Sequence, residues 1–158
     1  MAIKKHSRGF ALLISVIFMS VMLSLGIALA SLGYKQTILA STATESQYAF
    51  YAADAALECA LYADQQQNLF APPKGGTPLL CDGGSTTVST STASGYLIST
   101  ATISLDSNTR CANIAVYKPT SSGTTYLYSN GYDVSCATAA GAPANGARFV
   151  VRGLNAHY

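Results

Sequence analysis

KKHSRGFALLISVIFMSVMLSLGIALASLGY, residues 4–34, places a short basic leader directly before a long apolar run. From Phe10 to Leu32 the chain has 23 residues and none of them is charged. At ~1.5 Å of rise per residue, a helix of this length can cross a hydrocarbon core about 30 Å thick. The run is therefore predicted to be a single transmembrane helix, with the membrane as its first partner.

The basic leader predicts the orientation of that helix. Lys4, Lys5 and Arg8 all precede the apolar run. Because basic residues are enriched on the cytoplasmic side of membranes, the N-terminus is expected in the cytoplasm. The chain is then a single-pass protein of the inner (cytoplasmic) membrane, and the remainder lies outside the cytoplasm.

Two ordinary interpretations compete for the same stretch. A secretory signal peptide would be cut after the small residues Ala28-Leu29-Ala30. Its apolar region is usually only about 7–15 residues long, however, and here helix-compatible sequence continues past that site. An uncut single-pass anchor accounts for the run equally simply.

The junction Gly9-Phe10 favours a third interpretation. A basic leader ending in Gly, followed at once by Phe and an apolar helix, resembles the type III signal of type IV pilins and type II secretion pseudopilins. Membership of that family would imply a prepilin peptidase that cuts on the cytoplasmic side, after Gly9. The same enzyme would methylate Phe10, and the helix would be retained.

The helix is predicted to continue well beyond the membrane. No Gly or Pro interrupts residues 34–69, so we expect one helix over residues 10–68, with residues 10–32 in the membrane. It would be on the order of 90 Å long, more than a small head can cover. Its few charged residues, Asp64 among them, are expected to be exposed and to cover only a small part of the helix surface.

Two stripes of residues with alternating spacings of three and four predict two packing faces on this helix. The first stripe is Leu39, Ala43, Ser46, Phe50, Ala53, Leu57 and Ala60, and the second, beside the first, is Tyr48, Tyr51, Ala55, Cys59 and Tyr62.

The segment AFYAADAALECAL, residues 49–61, is similar to the alanine-rich helix of PilX-type minor pilins. The resemblance covers residues 9–64. It implies an α+β fold in which a long N-terminal helix, half of it transmembrane, packs its outer half on a small antiparallel β-sheet head.

One position departs from the family pattern. Major pilins carry Glu at the fifth mature position, which neutralises the amino terminus of the adjacent subunit. Counted from Phe10, that position is Ile14. The resemblance therefore implies a minor subunit, with a bias towards the filament tip.

Small residues recur within the apolar run. Such residues let helices approach closely in lipid, which would suit packing against other pilin subunits, although they are also simply common in membrane helices. Those spaced four apart are Ser20, Ser24 and Ala28, and separately Gly26 and Ala30.

The remainder divides into a loop and a β head. Residues 69–94 are rich in Pro, Gly, Ser and Thr, and Pro72 and Pro73 are expected to end the helix. Within this segment, residues 85–94 are either a flexible tract or a polar strand. Residues 95–158 form the predicted antiparallel head, with strands at 96–105, 112–118, 125–136 and 148–154.

Four cysteines all lie in the part predicted outside the cytoplasm: Cys59, Cys81, Cys111 and Cys136. Two disulfides are the natural interpretation. Pairing neighbours in sequence, Cys59 with Cys81 and Cys111 with Cys136, is the hypothesis we favour among three connectivities. A zinc site is disfavoured because there is no C-x-x-C pair and the two histidines lie at opposite ends.

Charge and motifs exclude several functions. Removal of the leader would remove three of the nine basic residues and leave six basic and seven acidic residues, so the mature chain would have a net charge of −1. This charge does not indicate a nucleic-acid-binding surface. No catalytic motif is present, and Asp54 with Glu58 is best explained as a solvated helix face. We expect no enzyme activity, no cofactor and no metal.

The sequence as a whole predicts a minor pilin-like structural subunit, made in the membrane and then displayed in a cell-surface filament. A type II secretion or competence pseudopilin is the alternative within the family. From a different class, the chain would be an uncut membrane-anchored adhesin or sensor domain.

Overall fold

A computed structural model of the chain describes residues 8–71, 77–145 and 148–158. The described residues up to Ser41 form one compact unit, and Thr42–Tyr158 form a second. Helix α1 (Arg8–Gln65) begins in the first unit and ends in the second. Of the predicted leader, residues 1–7 lie outside the described residues.

Helix α1 ends three residues before the predicted limit, because Asn68 terminates it. Asn68 adopts a left-handed conformation (φ 50°), and its N–H donates to the carbonyl of Asp64 at 3.1 Å. Asn is one of the few residues that tolerate this conformation at a helix C-terminus. Pro72 and Pro73, which the sequence suggested as the stop, lie outside the described residues.

The second unit contains two antiparallel sheets. Strands β1 (Leu79–Cys81) and β2 (Gly84–Thr86) form a short hairpin. The larger sheet has the order β3-β4-β5-β6-β7, so each strand pairs with its neighbour in sequence. Its strands are β3 (Ser89–Ala93), β4 (Tyr96–Leu105), β5 (Arg110–Pro119), β6 (Tyr126–Tyr132) and β7 (Val151–His157), and helix α2 (Cys136–Asn145) joins β6 to β7. The fold class is therefore α+β, as predicted.

The predicted loop at residues 69–94 needs correction. It contains β1, β2 and β3, and β3 is the polar strand that the sequence left as one of two alternatives. Strands β1 and β2 have only three residues each, too few for a periodic pattern, and the turn between them uses the left-handed pair Asp82 and Gly83.

Helix α2 was not predicted. The strand expected at 125–136 stops at Tyr132, and the last strand begins at Val151, three residues later than expected. Ser135 caps the helix, since the N–H of Thr138 donates to its hydroxyl at 3.3 Å. A serine directly before an alanine-rich run is a sequence pattern that could have predicted the start of this helix.

In the second unit, α1 packs on one face of the larger sheet. Its buried line consists mainly of small side chains, Ala49, Ala52, Ala53, Ala56, Ala60 and Ala63. The face of the sheet that packs on α1 carries buried side chains that lie opposite one another on neighbouring strands. Examples are Ala101 opposite Ile114 and Val116 opposite Leu127. The helix backbone lies directly over Gly131, where a Cβ atom would meet the carbonyl of Ala49 and the amide of Ala53.

Candidate functional site

The described residues of the first unit form an exposed apolar helix surface. Most large side chains from Phe10 to Leu32 are at least half exposed. By length and composition, α1 is the one described helix that could cross a membrane. Such a surface requires lipid or other helices around it.

The predicted processing site and its neighbours lie in the first turns of α1. Gly9 and Phe10 are its second and third residues. Phe10 and Ile14 are one helical turn apart and are 66% and 51% exposed, so both apolar side chains lie on the open surface of the helix.

The small residues of the apolar run give the helix a surface without free hydroxyl groups. Ser20 and Ser24 each donate to a carbonyl one turn back, those of Ile17 and Val21, at 2.8 Å. A Cβ atom at Gly26 would meet nothing within 4 Å. Ser20, Ser24, Gly26, Ala28 and Ala30 are all exposed, as a helix–helix contact would need.

In the second unit, α1 also carries aromatic side chains that the sheet leaves exposed. Tyr48, Phe50, Tyr51 and Tyr62 are between 43% and 64% exposed. The first predicted stripe is thus buried at Ala53, Leu57 and Ala60 but not at Phe50, and the tyrosines of the second stripe remain open.

A recess of about 500 Å³ lies beside these tyrosines. The guanidinium of Arg110 sits 3.7 Å from the ring centroid of Tyr48, and Arg110 also donates to the carbonyl of Asp133 at 3.1 Å. The recess is lined by Tyr48, Tyr51, Ala52, Ala55, Cys59, Cys81, Asp82, Leu105, Asp106 and Arg110.

Both disulfides of the favoured connectivity are present. Cys59–Cys81 joins α1 to β1 beside the recess, and Cys111–Cys136 joins β5 to the start of α2. Each bridge closes a loop of 20–30 residues, which on the chain-entropy estimate stabilises a small domain by about 3 kcal/mol.

The structure corrects the prediction for Asp64, which the sequence analysis placed among the exposed polar residues of the helix. Its side chain is 1% exposed and accepts from Lys118 Nζ at 2.5 Å and from the hydroxyl of Tyr158. A usable signal existed, because Asp64 continues the three-and-four spacing four residues after Ala60. The helix, β5 and the residue after β7 meet at this carboxylate.

The Asp64 carboxylate perturbs its tyrosine neighbour. Partial burial of Tyr158, which is 47% exposed, the hydrogen bond to Asp64 and the negative charge of Asp64 all raise the pKa of Tyr158 above its ordinary value. The hydroxyl therefore stays protonated as a donor over the physiological range.

The described residues offer no metal centre. Within residues 8–71, 77–145 and 148–158, no three His, Cys, Asp or Glu side chains are grouped closely enough to hold a metal ion.

No protein-family model, curated protein or solved structure matches the chain. Its architecture is nevertheless pilin-like: a long, apolar N-terminal helix, an antiparallel sheet against the later part of that helix, and two disulfides.

Proposed function

We propose that the chain is a minor pilin-like subunit of a type IV pilus or a related filament, and that its mechanism is assembly. The observation that carries the proposal is one continuous helix, Arg8–Gln65, whose first part is apolar and exposed and whose later part packs on an antiparallel sheet. This combination suits a subunit that is held in lipid before assembly and by neighbouring helices afterwards.

Processing would precede assembly. A prepilin peptidase would cut the cytoplasmic leader after Gly9 and methylate Phe10, leaving a mature chain that begins within the apolar helix. The head would then lie on the outer side of the inner membrane, and after assembly at the cell surface.

Assembly would exchange lipid contacts for protein contacts. Lipid tails are as apolar as Leu, so the gain comes from close packing and not from leaving water. The exposed small residues, Gly26 and Ala30 among them, allow helix backbones to approach. The exposed aromatic side chains Tyr51 and Tyr62 would extend the contact outside the membrane.

Ile14 argues for a minor subunit at an initiating or tip position. A subunit inside the shaft faces the amino terminus of a neighbour, and an acidic side chain would neutralise that buried charge. With Ile14 exposed and apolar in this place, the chain supplies no such partner. A subunit at the tip has no earlier amino terminus to neutralise.

The proposal is tested by fractionating cells that carry a type IV pilus system and express the full chain. Wild-type protein is expected in the sheared-filament fraction. Gly9→Ala should keep its leader and stay in the membrane. The matched control is Gly33→Ala, in the same helix, where a Cβ atom meets nothing within 4 Å, and it should behave as wild type.

Two results would contradict the proposal. If wild type and Gly9→Ala both keep the leader, so that their masses differ only by the added CH2 group, and both have the same distribution, the chain is an uncut membrane anchor. If processed wild-type protein never leaves the membrane of cells that make filaments, the chain is not a subunit of that filament.

A further inference from the structure

The larger sheet has a second face, which α1 does not cover. Strand register defines it: Thr100, Ala115, Tyr128 and Asn155 lie opposite one another on β4, β5, β6 and β7 and point away from the helix. We call the side of the sheet that carries this row the outer face. Helix α2 packs against β4 and β5 at the Cys111–Cys136 end and leaves the other end open.

The outer face carries no formal charge among the described strands. The five strands contain three cationic residues, Arg110, Lys118 and Arg152. All three point to the α1 side, where they contact helix residues: Arg110 lies over Tyr48, Lys118 pairs with Asp64, and Arg152 Nε donates to Ser46 Oγ at 2.7 Å.

Four tyrosines surround a recess of about 310 Å³ on the outer face. The rings of Tyr117 and Tyr128 meet edge to face at 5.6 Å, and those of Tyr96 and Tyr126 lie 6.5 Å apart. Tyr126 and Tyr128 are 38% and 44% exposed, so their rings are available to a ligand.

A polar recess of about 460 Å³ adjoins the aromatic one, and Tyr128 lines both. Thr100, Thr102, Asn113 and Asn130 supply half of its side chains with hydroxyl or amide groups, and Thr86, Thr87, Ser89 and Tyr128 supply the other half. These groups are partly fixed before any ligand arrives, since Thr102 Oγ1 donates to Asn113 Oδ1 at 2.8 Å. Asn113 Nδ2 in turn donates to the hydroxyl of Tyr132 at 3.2 Å.

We propose that the outer face binds an uncharged oligosaccharide, one sugar stacked among the tyrosines and the next in the polar recess. Sugar rings have an apolar face, which packs on aromatic rings, and a rim of hydroxyl groups, which pair with amides and hydroxyls. Both recesses fall in the size range of small-molecule sites. Among the described strands this surface carries no Lys, Arg, Asp or Glu, and its one imidazole, His157, has its ring centroid 6.2 Å from that of Tyr126, so the surface complements a neutral glycan better than an anionic one.

The test uses the full chain in phosphatidylcholine nanodiscs, which avoids detergents with sugar headgroups. Saturation-transfer NMR is recorded with two neutral probes, cellotetraose and chitotetraose, and with tetragalacturonate as an acidic probe. Transfer to at least one neutral probe, and none to the acidic probe, is expected.

Variants locate the contact. Tyr128→Ala should weaken binding of the neutral probe about tenfold, whereas Tyr128→Phe, which keeps the ring, should bind nearly as wild type. Tyr34→Ala, at an exposed tyrosine on α1 that lines neither recess, is the matched control and should leave binding of the neutral probe unchanged. If Tyr128→Ala fails to fold by circular dichroism, Tyr126→Ala takes its place.

Several results would overturn the proposal: no transfer to either neutral probe at millimolar concentration, equal transfer to the acidic probe, or equal weakening by Tyr34→Ala. Concentration-dependent self-association that Tyr128→Ala abolishes, without sugar binding, would instead assign the outer face to a second copy of this chain.

Discussion

Lys118 Nζ lies 2.5 Å from Asp64 Oδ1, and the carboxylate is almost completely buried. The pair joins the last turns of α1 to β5, 54 residues along the chain, and Tyr158 donates to the other carboxylate oxygen. Because a buried charge tolerates few arrangements of its partners, we infer that this contact helps to set how far along the sheet the helix sits.

Lys118→Met should therefore be strongly destabilising. It removes the cation and leaves the Asp64 carboxylate buried with one hydrogen-bond donor, so we expect a loss of about 3 kcal/mol in the free energy of unfolding. Urea unfolding of the full chain in detergent micelles measures this.

The double variant Lys118→Met with Asp64→Asn removes both charges and should recover part of that loss, since no unpaired charge remains. If the single variant costs less than about 1 kcal/mol, or the double variant is the less stable, the pair does not have this role.

The raised pKa of Tyr158 predicts a dependence of stability on alkaline pH. In the unfolded chain the tyrosine loses its proton near pH 10, while in the folded chain it keeps it. Above that pH the unfolded state binds fewer protons than the folded state, so stability falls as pH rises. Below it, this contribution is fully present.

Tyr158→Phe should flatten the slope of unfolding free energy against pH between about pH 10 and 11, where the unfolded-chain tyrosine ionises. Tyr62→Phe, an exposed tyrosine on α1, serves as the control. Identical slopes for wild type and Tyr158→Phe would contradict the prediction.

Gly131→Ala tests the close approach of β6 to α1. The added Cβ would meet backbone atoms of Ala49 and Ala53, including the Cα atom of Ala53 at 2.9 Å. Backbone atoms cannot relieve such a clash by changing rotamer, as a side chain can. We expect a cost of about 3 kcal/mol or loss of folding. Gly153→Ala, whose Cβ would meet the side-chain oxygen of Asn130 at 2.9 Å, should cost less. Similar melting temperatures for Gly131→Ala and wild type would contradict the packing described.

Ile14→Glu tests the position in the filament. The change leaves Gly9 and Phe10 intact, so processing should be unaffected. An acidic side chain at this position would allow incorporation along the shaft, and the amount of chain per filament should rise. Immunoblotting of sheared filaments measures it. Equal amounts of both forms would contradict the tip assignment.

The sequence was sufficient for the main elements because their signals are periodic and local. The uncharged run from Phe10 and the absence of Gly and Pro after it predicted α1, and alternating β-branched and aromatic residues predicted Tyr96–Leu105 to the residue. Cysteine spacing suggested both disulfide pairs. These features depend on short stretches of chain.

The sequence did not predict the long-range contacts, because the residues that form them are far apart in the chain. Asp64 was misassigned since a charged residue on a helix is usually solvated, and its partner Lys118 is distant in sequence. Gly131 was placed inside the strand predicted at 125–136, but the sequence did not indicate that this position admits the helix backbone. The outer face emerged only when the register brought tyrosines from three strands together.

The central claim is that the chain enters the pilin pathway, and its mature N-terminus tests this most directly. We would measure intact mass and N-terminal sequence after expression with and without a prepilin peptidase. The account predicts a chain that begins with N-methylated Phe10 only when the peptidase is present. A chain that begins at Ser31, or one that keeps its leader in the presence of the peptidase, would contradict it.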